Sequence, residues 1–132
     1  MMKRNFLLFI IILFMYNCKT TTRTTKAEYN FLRDHFKFTY FQDCLKHGFN
    51  KSDEIMKILV EDKSYRSDFI LGMQNYKYID SLAKLTAKAI KKDSIKSLTT
   101  AHESAQGKKV FKKCLCDYNS KWLDSIATSR LK

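Results

Sequence analysis

The chain has 132 residues, room for one domain, and its 45% hydrophobic and 29% charged content suits a globular fold better than a disordered chain. With no proline and three glycines, it has too few turn formers for a many-stranded barrel or sandwich, and no glycine pair lies close enough to cradle a phosphate. The formal net charge of +12 points to anionic partners, whose nature depends on the compartment.

The chain opens with Lys3 and Arg4, an apolar run from Phe6 to Tyr16, and then Asn17 and Cys18. A membrane-spanning helix needs roughly 20 apolar residues, so this run is too short to span and suits the core of a secretory signal. A cysteine directly after the run resembles the site at which a bacterial lipoprotein is cleaved and acylated. The expectation is a lipoprotein-type signal peptide over 1–17, with Cys18 the lipidated residue, and a periplasmic, membrane-anchored protein. Met15, Tyr16 and Asn17 stand where small residues are usual, and the alternative is a plain secretory signal cut nearby. Export leaves 23 basic and 13 acidic residues, a net +10. Outside the inner membrane the available anions are headgroups, cell-wall carboxylates and acidic proteins, which argues against nucleic acid as the partner.

Residues 18–26 read as a polar tether, and the domain proper spans 27–132. From Ala27 to His47, Phe31, Leu32, Phe36, Tyr40, Phe41, Cys44 and Leu45 recur at steps of one, three and four, the mark of a buried helix face. Phe36, Phe38 and Tyr40 also alternate as a strand would, but the length and a stop at Gly48 favour helix. A second helix starts with Asn50 or Ser52 as cap and Asp53 and Glu54 in its first turn. Tyr65, Phe69, Ile70 and Met73 suggest a short helix within 61–76, ended or bent at Gly72. From Tyr78 to Lys92, an apolar stripe of Ile79, Leu82, Ala83, Thr86, Ala89 and Ile90 opposes Lys84, Lys88, Lys91 and Lys92. Residues 93–107 have a loop composition. Val110, Phe111, Cys114, Leu115, Tyr118, Trp122 and Ile126 then predict one continuous amphipathic core helix. The fold class expected is all-α, a small bundle of four or five helices.

Cys44 and Cys114 both fall on apolar helical faces, whereas Cys116 lies about 200° around the helix from Cys114. A Cys44–Cys114 disulfide between the first and last helices is the better pairing, leaving Cys116 over. Its loop of 70 residues would contribute roughly 4 kcal/mol in the chain-entropy account. The alternative is two reduced cysteines packed as small apolar side chains.

No sequence signature points to catalysis or a cofactor, although paired carboxylates would meet only in three dimensions and so leave no spacing to read. Cys114 and Cys116 lack the usual spacer of a metal site, and His35, His47 and His102 are scattered, with no His-Glu-x-x-His. Cys116 and His102 could be drafted as nucleophile and base, but no local signature supports them. Asp53 and Glu54 read as a helix start, Asp117 and Asp124 as a solvated face. The expectation is a non-enzyme.

Two segments together resemble a known family. One is Phe41-Gln42-Asp43-Cys44-Leu45. The other runs from Cys114 to Asp124 with the pattern Cys-Leu-x-x-Tyr-x-Ser-x-x-Leu-Asp, and Gly107 precedes it. Together they look like the immunity proteins of type VI secretion amidase effectors, over about Phe36 to Leu131. The resemblance implies a periplasmic all-α homodimer that binds a peptidoglycan amidase and plugs its cleft. It also implies that Cys44 and Cys114 are the matched cysteine pair and that Tyr118, Leu123 and Asp124 pack and cap. Cys116 and the lipid anchor depart from the family pattern. An inhibitor needs a rigid scaffold and a segment that fills a cleft, and the candidate for that segment is Ser97, Leu98, Thr99, Thr100, Ala101, His102 and Glu103, in the longest polar interruption, the alternative being a plain connector. The competing expectation is an interaction lipoprotein whose basic helix faces bind anionic lipid or cell wall.

Overall fold

The computed structural model describes residues 25–64 and 69–132. The signal segment, Cys18 and Tyr65 lie outside the described residues. Among the described residues there are five α-helices, α1 (Lys26–Gly48), α2 (Asp53–Glu61), α3 (Met73–Thr100), α4 (Val110–Tyr118) and α5 (Lys121–Arg130), with a 3₁₀ turn at Glu103–Ala105. No strand occurs among the described residues. The fold is the all-α bundle expected.

α1 is the central element, packing against α3, α4, α5 and, more lightly, α2. Its Phe36, Tyr40, Cys44 and Leu45 enter a core completed by Ile79, Ala83 and Ile90 of α3, Val110 and Cys114 of α4, and Leu123 and Ala127 of α5. Thr25 caps α1, its hydroxyl accepting from the Glu28 N–H. The helix ends at Gly48, as expected, although this glycine does not take a positive φ. Asn50 and Lys51 take positive φ angles of 57° and 56° and turn the chain away. Gly48 serves a different need: a Cβ there would lie 2.5 Å from Val110 Cγ1, so only glycine lets α4 approach this closely.

Where a short helix within 61–76 is expected, the described residues 62–64 and 69–72 are not helical, and 73–76 already belong to α3. α2 ends at Glu61, and the Asp62 carboxylate then accepts from both the backbone N–H and the hydroxyl of Ser64, a local turn that competes with helix. Gly72, at φ +75°, is the N-cap of α3 rather than a terminator. At the other end, α3 runs on to Thr100, so residues 93–100 are helical, not loop. Their hydroxyls bond back to the helix itself: Ser97 donates to the Ser94 carbonyl, and Thr99 and Thr100 both donate to that of Lys96. Polar composition there marks a solvated helix face.

The last predicted helix is two. Asn119 and Ser120 interrupt it, and the Ser120 hydroxyl accepts from the Leu123 N–H to cap α5. The break re-aims the stripe. Val110, Cys114, Leu123 and Ala127 are buried, whereas Phe111, Leu115 and Trp122, expected in the core, are exposed, as is Phe31 on α1.

Candidate functional site

Cys44 of α1 and Cys114 of α4 form a disulfide. Around it the two family-like segments assemble into one unit. The Phe41 and Tyr118 rings meet edge to face at 5.9 Å. Lys37 lies 5.1 Å from the Tyr118 ring centroid and donates to Asp124 across 2.7 Å. Leu123 is fully buried. The capping is done by Ser120, while Asp124 ties α5 to α1.

Asp117 is not on a solvated face. It is buried at the junction of α1, α3 and α4, accepting from the Tyr40 hydroxyl at 2.8 Å and from Lys113 at 2.5 Å. Since the single Tyr40 hydroxyl hydrogen goes to Asp117, Thr86 donates to the Tyr40 oxygen across 2.7 Å. Burial pushes the Tyr40 phenol well above its ordinary range and the Asp117 charge adds to this, although the Thr86 bond works the other way. The phenol therefore stays a donor throughout the usable pH range. This network was not visible in the sequence, where an Asp between helical apolar positions looks like any surface acid.

A second cluster ties α1 to α3. Asp80 accepts from His47 at 2.7 Å and from Lys84 at 2.6 Å, and Lys46 approaches to 3.8 Å. Partial burial alone would raise the Asp80 pKa, but the hydrogen bonds and charges of Lys84 and His47 outweigh it and hold the carboxyl at about 2. His35 is buried on α1, with Nε2 3.2 Å from the Tyr76 hydroxyl, and His102 is exposed beyond α3. The histidines are thus spread over the molecule. No group of three or more potential metal ligands occurs among the described residues.

The segment expected to enter a cleft is divided. Ser97, Leu98, Thr99 and Thr100 form the last turn of α3, Ala101 and His102 follow, and Glu103 opens the 3₁₀ turn. It still makes an exposed corner, and its geometry is fixed by its own hydrogen bonds. Gln106 reaches back to the carbonyls of Leu98 and Ala101, and the Gly107 N–H donates to the Ser97 hydroxyl. Cys116 is an exposed free thiol on α4. The fold defines a disulfide-pinned all-α domain. Comparison with family models, curated proteins and solved structures finds no match to this chain.

Proposed function

We propose that this chain is a periplasmic immunity protein, anchored by lipid at Cys18, that binds a type VI secretion peptidoglycan amidase as a homodimer and occludes its cleft. The observation that carries this reading is the convergence of its two family-like segments. Phe41 and Cys44 meet Tyr118 and Cys114, and Lys37 joins Asp124, so the residues behind the resemblance make one structural unit. The role requires no reactive group. It requires a scaffold whose surface keeps its shape, which the disulfide and the braced 98–106 corner supply.

The test is inhibition. Residues 19–132, produced under oxidising conditions, are titrated into peptidoglycan hydrolysis by the amidase encoded beside this chain's gene. Stoichiometric loss of activity is expected. A folded domain that neither inhibits nor binds the enzyme sinks the reading. The exposed lysines of α3, Lys88, Lys91, Lys92 and Lys96, favour the second reading, an interaction lipoprotein held against anionic surfaces. Salt-sensitive binding to phosphatidylglycerol vesicles, without any effect on the amidase, would support it.

A further inference from the structure

Between α3 and the α4–α5 pair runs a trough made of two hollows, both lined by Lys113. The larger, about 420 Å³, is lined by Leu82, Leu85, Ala89 and Trp122. Leu85 is 61% exposed and Trp122 45% exposed, so the fold leaves two large apolar side chains uncovered there. The other hollow, about 310 Å³, sets Lys109, which precedes α4, and Lys112 and Lys113 of α4 against Asp93 and Ser94 of α3. Lys113 is held by Asp117, but among the described residues Lys109 and Lys112 have no acidic partner. The first turn of α4 contains no acid either, so the positive end of that helix adds to its lysines.

We infer that this trough docks an acidic peptide segment of a partner protein, with an apolar side chain against Leu85 and Trp122 and carboxylates against Lys109 and Lys112. Charge favours an acidic occupant, because Lys109, Lys112 and Lys113 outnumber Asp93 at the basic end and neither Lys109 nor Lys112 is in a salt bridge among the described residues. Shape fixes its class. A half-exposed tryptophan beside a leucine is the kind of anchor that concentrates binding energy in protein interfaces. From Leu82 to Ser97 the helix rises about 22 Å, the span of roughly seven extended residues. Ser97 and Gly107 close the basic end, so a segment in the trough leads onto the 98–106 corner. The inference rests on the immunity reading for the partner's identity, a surface segment of the amidase, and on the trough alone for its chemistry.

Trp122 is the only tryptophan in the chain, so its emission reports the apolar end directly. The probe is the capped heptapeptide Glu-Leu-Glu-Glu-Phe-Glu-Glu, titrated at low salt into residues 19–132. A saturable emission change is expected, with affinity about tenfold weaker in Leu85→Ser and in the double variant Lys109→Glu/Lys112→Glu. The same peptide with lysine for each glutamate gives no change. All three substituted side chains are exposed, and unchanged melting curves confirm the fold of the variants. Absence of saturation, or equal affinity in the variants, overturns the proposal. So does an equivalent signal from phosphatidylglycerol vesicles that Leu85→Ser leaves intact, since that assigns the trough to lipid. The amidase supplies the second arm. If it binds the wild-type chain and the double variant equally, the trough proposal falls while the immunity reading stands. If it binds neither while the heptapeptide saturates, the trough stands and the immunity reading falls.

Discussion

Tyr40 donates its phenolic hydrogen to Asp117 across 2.8 Å, a bond that joins α1 to α4 within the core. Tyr40 is completely buried and Asp117 nearly so, so neither can turn to water when the other is removed. Tyr40→Phe keeps the ring and its packing while depriving a buried carboxylate of a donor. It should cost about 1–3 kcal/mol, read as a melting temperature lower by roughly 4–8 °C per kcal/mol. In a double-mutant cycle with Asp117→Ala the two losses should not add, because each variant breaks the same bond. Strict additivity would show that the pair contributes nothing jointly.

Reduction of the disulfide tests the second tie between these helices. Cys44 and Cys114 close a loop of 70 residues, and both are fully buried. The unfolded chain gains that loop's freedom when the bond is absent, which predicts a loss of about 4 kcal/mol in Cys44→Ala/Cys114→Ala. Denaturant midpoints of the oxidised wild type and the double variant measure it. Cys116→Ser should leave the midpoint unchanged, since its thiol is exposed and unpaired.

Gly48 makes the close approach of α1 and α4 possible one turn beyond the disulfide. In Gly48→Ala the new methyl would meet Val110 Cγ1 at 2.5 Å, and the β-branched, buried valine has little freedom to move aside. A cost of about 1–3 kcal/mol is expected. Val110→Ala in the same chain should recover part of it, although Val110→Ala alone destabilises. Failure of that rescue would place the strain elsewhere.

These sites also show what the sequence discloses. The α1 stripe and the Cys44–Cys114 pairing were legible because burial on a helix recurs at three and four residues, and both cysteines sit on such stripes. The stop at Gly48 was legible too, but the packing reason for a glycine there was not, because the missing side chain answers to Val110, 62 positions away. The same limit hid the extent of α3, whose terminal hydroxyl residues look like loop until their bonds to the preceding turn are seen. Asp117 and the trough between α3 and α4–α5 were out of reach for a related reason. Each exists only once separate helices pack, and local periodicity cannot show which acid is enclosed or which lysines face a hollow. The break at Asn119–Ser120 had a signal, a serine three residues before Leu123, that the continuous apolar stripe concealed.

Asp80 gives the fold an acid sensitivity of known sign. Its folded pKa of about 2 lies below the ordinary 3.8, so its stabilising contribution is complete above pH 4 and lost as pH falls toward 2. With its side chain 32% exposed, solvent screening limits that contribution to roughly 1–2 kcal/mol. Asp80→Asn should lower stability at pH 6 and flatten the decline between pH 4 and 2. Parallel stability curves for the variant and the wild type would show that other carboxylates set the acid limb.

The homodimer proposed above would need an exposed apolar surface away from the trough, and Phe111 and Leu115 of α4 offer one. Phe38, Phe41, Leu115 and Tyr118 line a small hollow of about 160 Å³ with very little polar character. Beside it on α4 is Phe111, 58% exposed and in ring contact with Phe49, while Leu115 itself is 52% exposed. An exposed patch of this kind is costly to leave in water, and a second copy applying the same face would cover both patches by two-fold symmetry. Leu115→Lys puts a charge at the centre of that face without entering the core. Light scattering should then give the monomer mass where the wild type gives twice that value, with the helical circular dichroism unchanged. The heptapeptide titration at Trp122 should be unaffected, because Leu115 lines neither hollow of the trough. A wild-type chain that is monomeric at high concentration, or a Leu115→Lys chain that remains dimeric, would remove this face from the assembly.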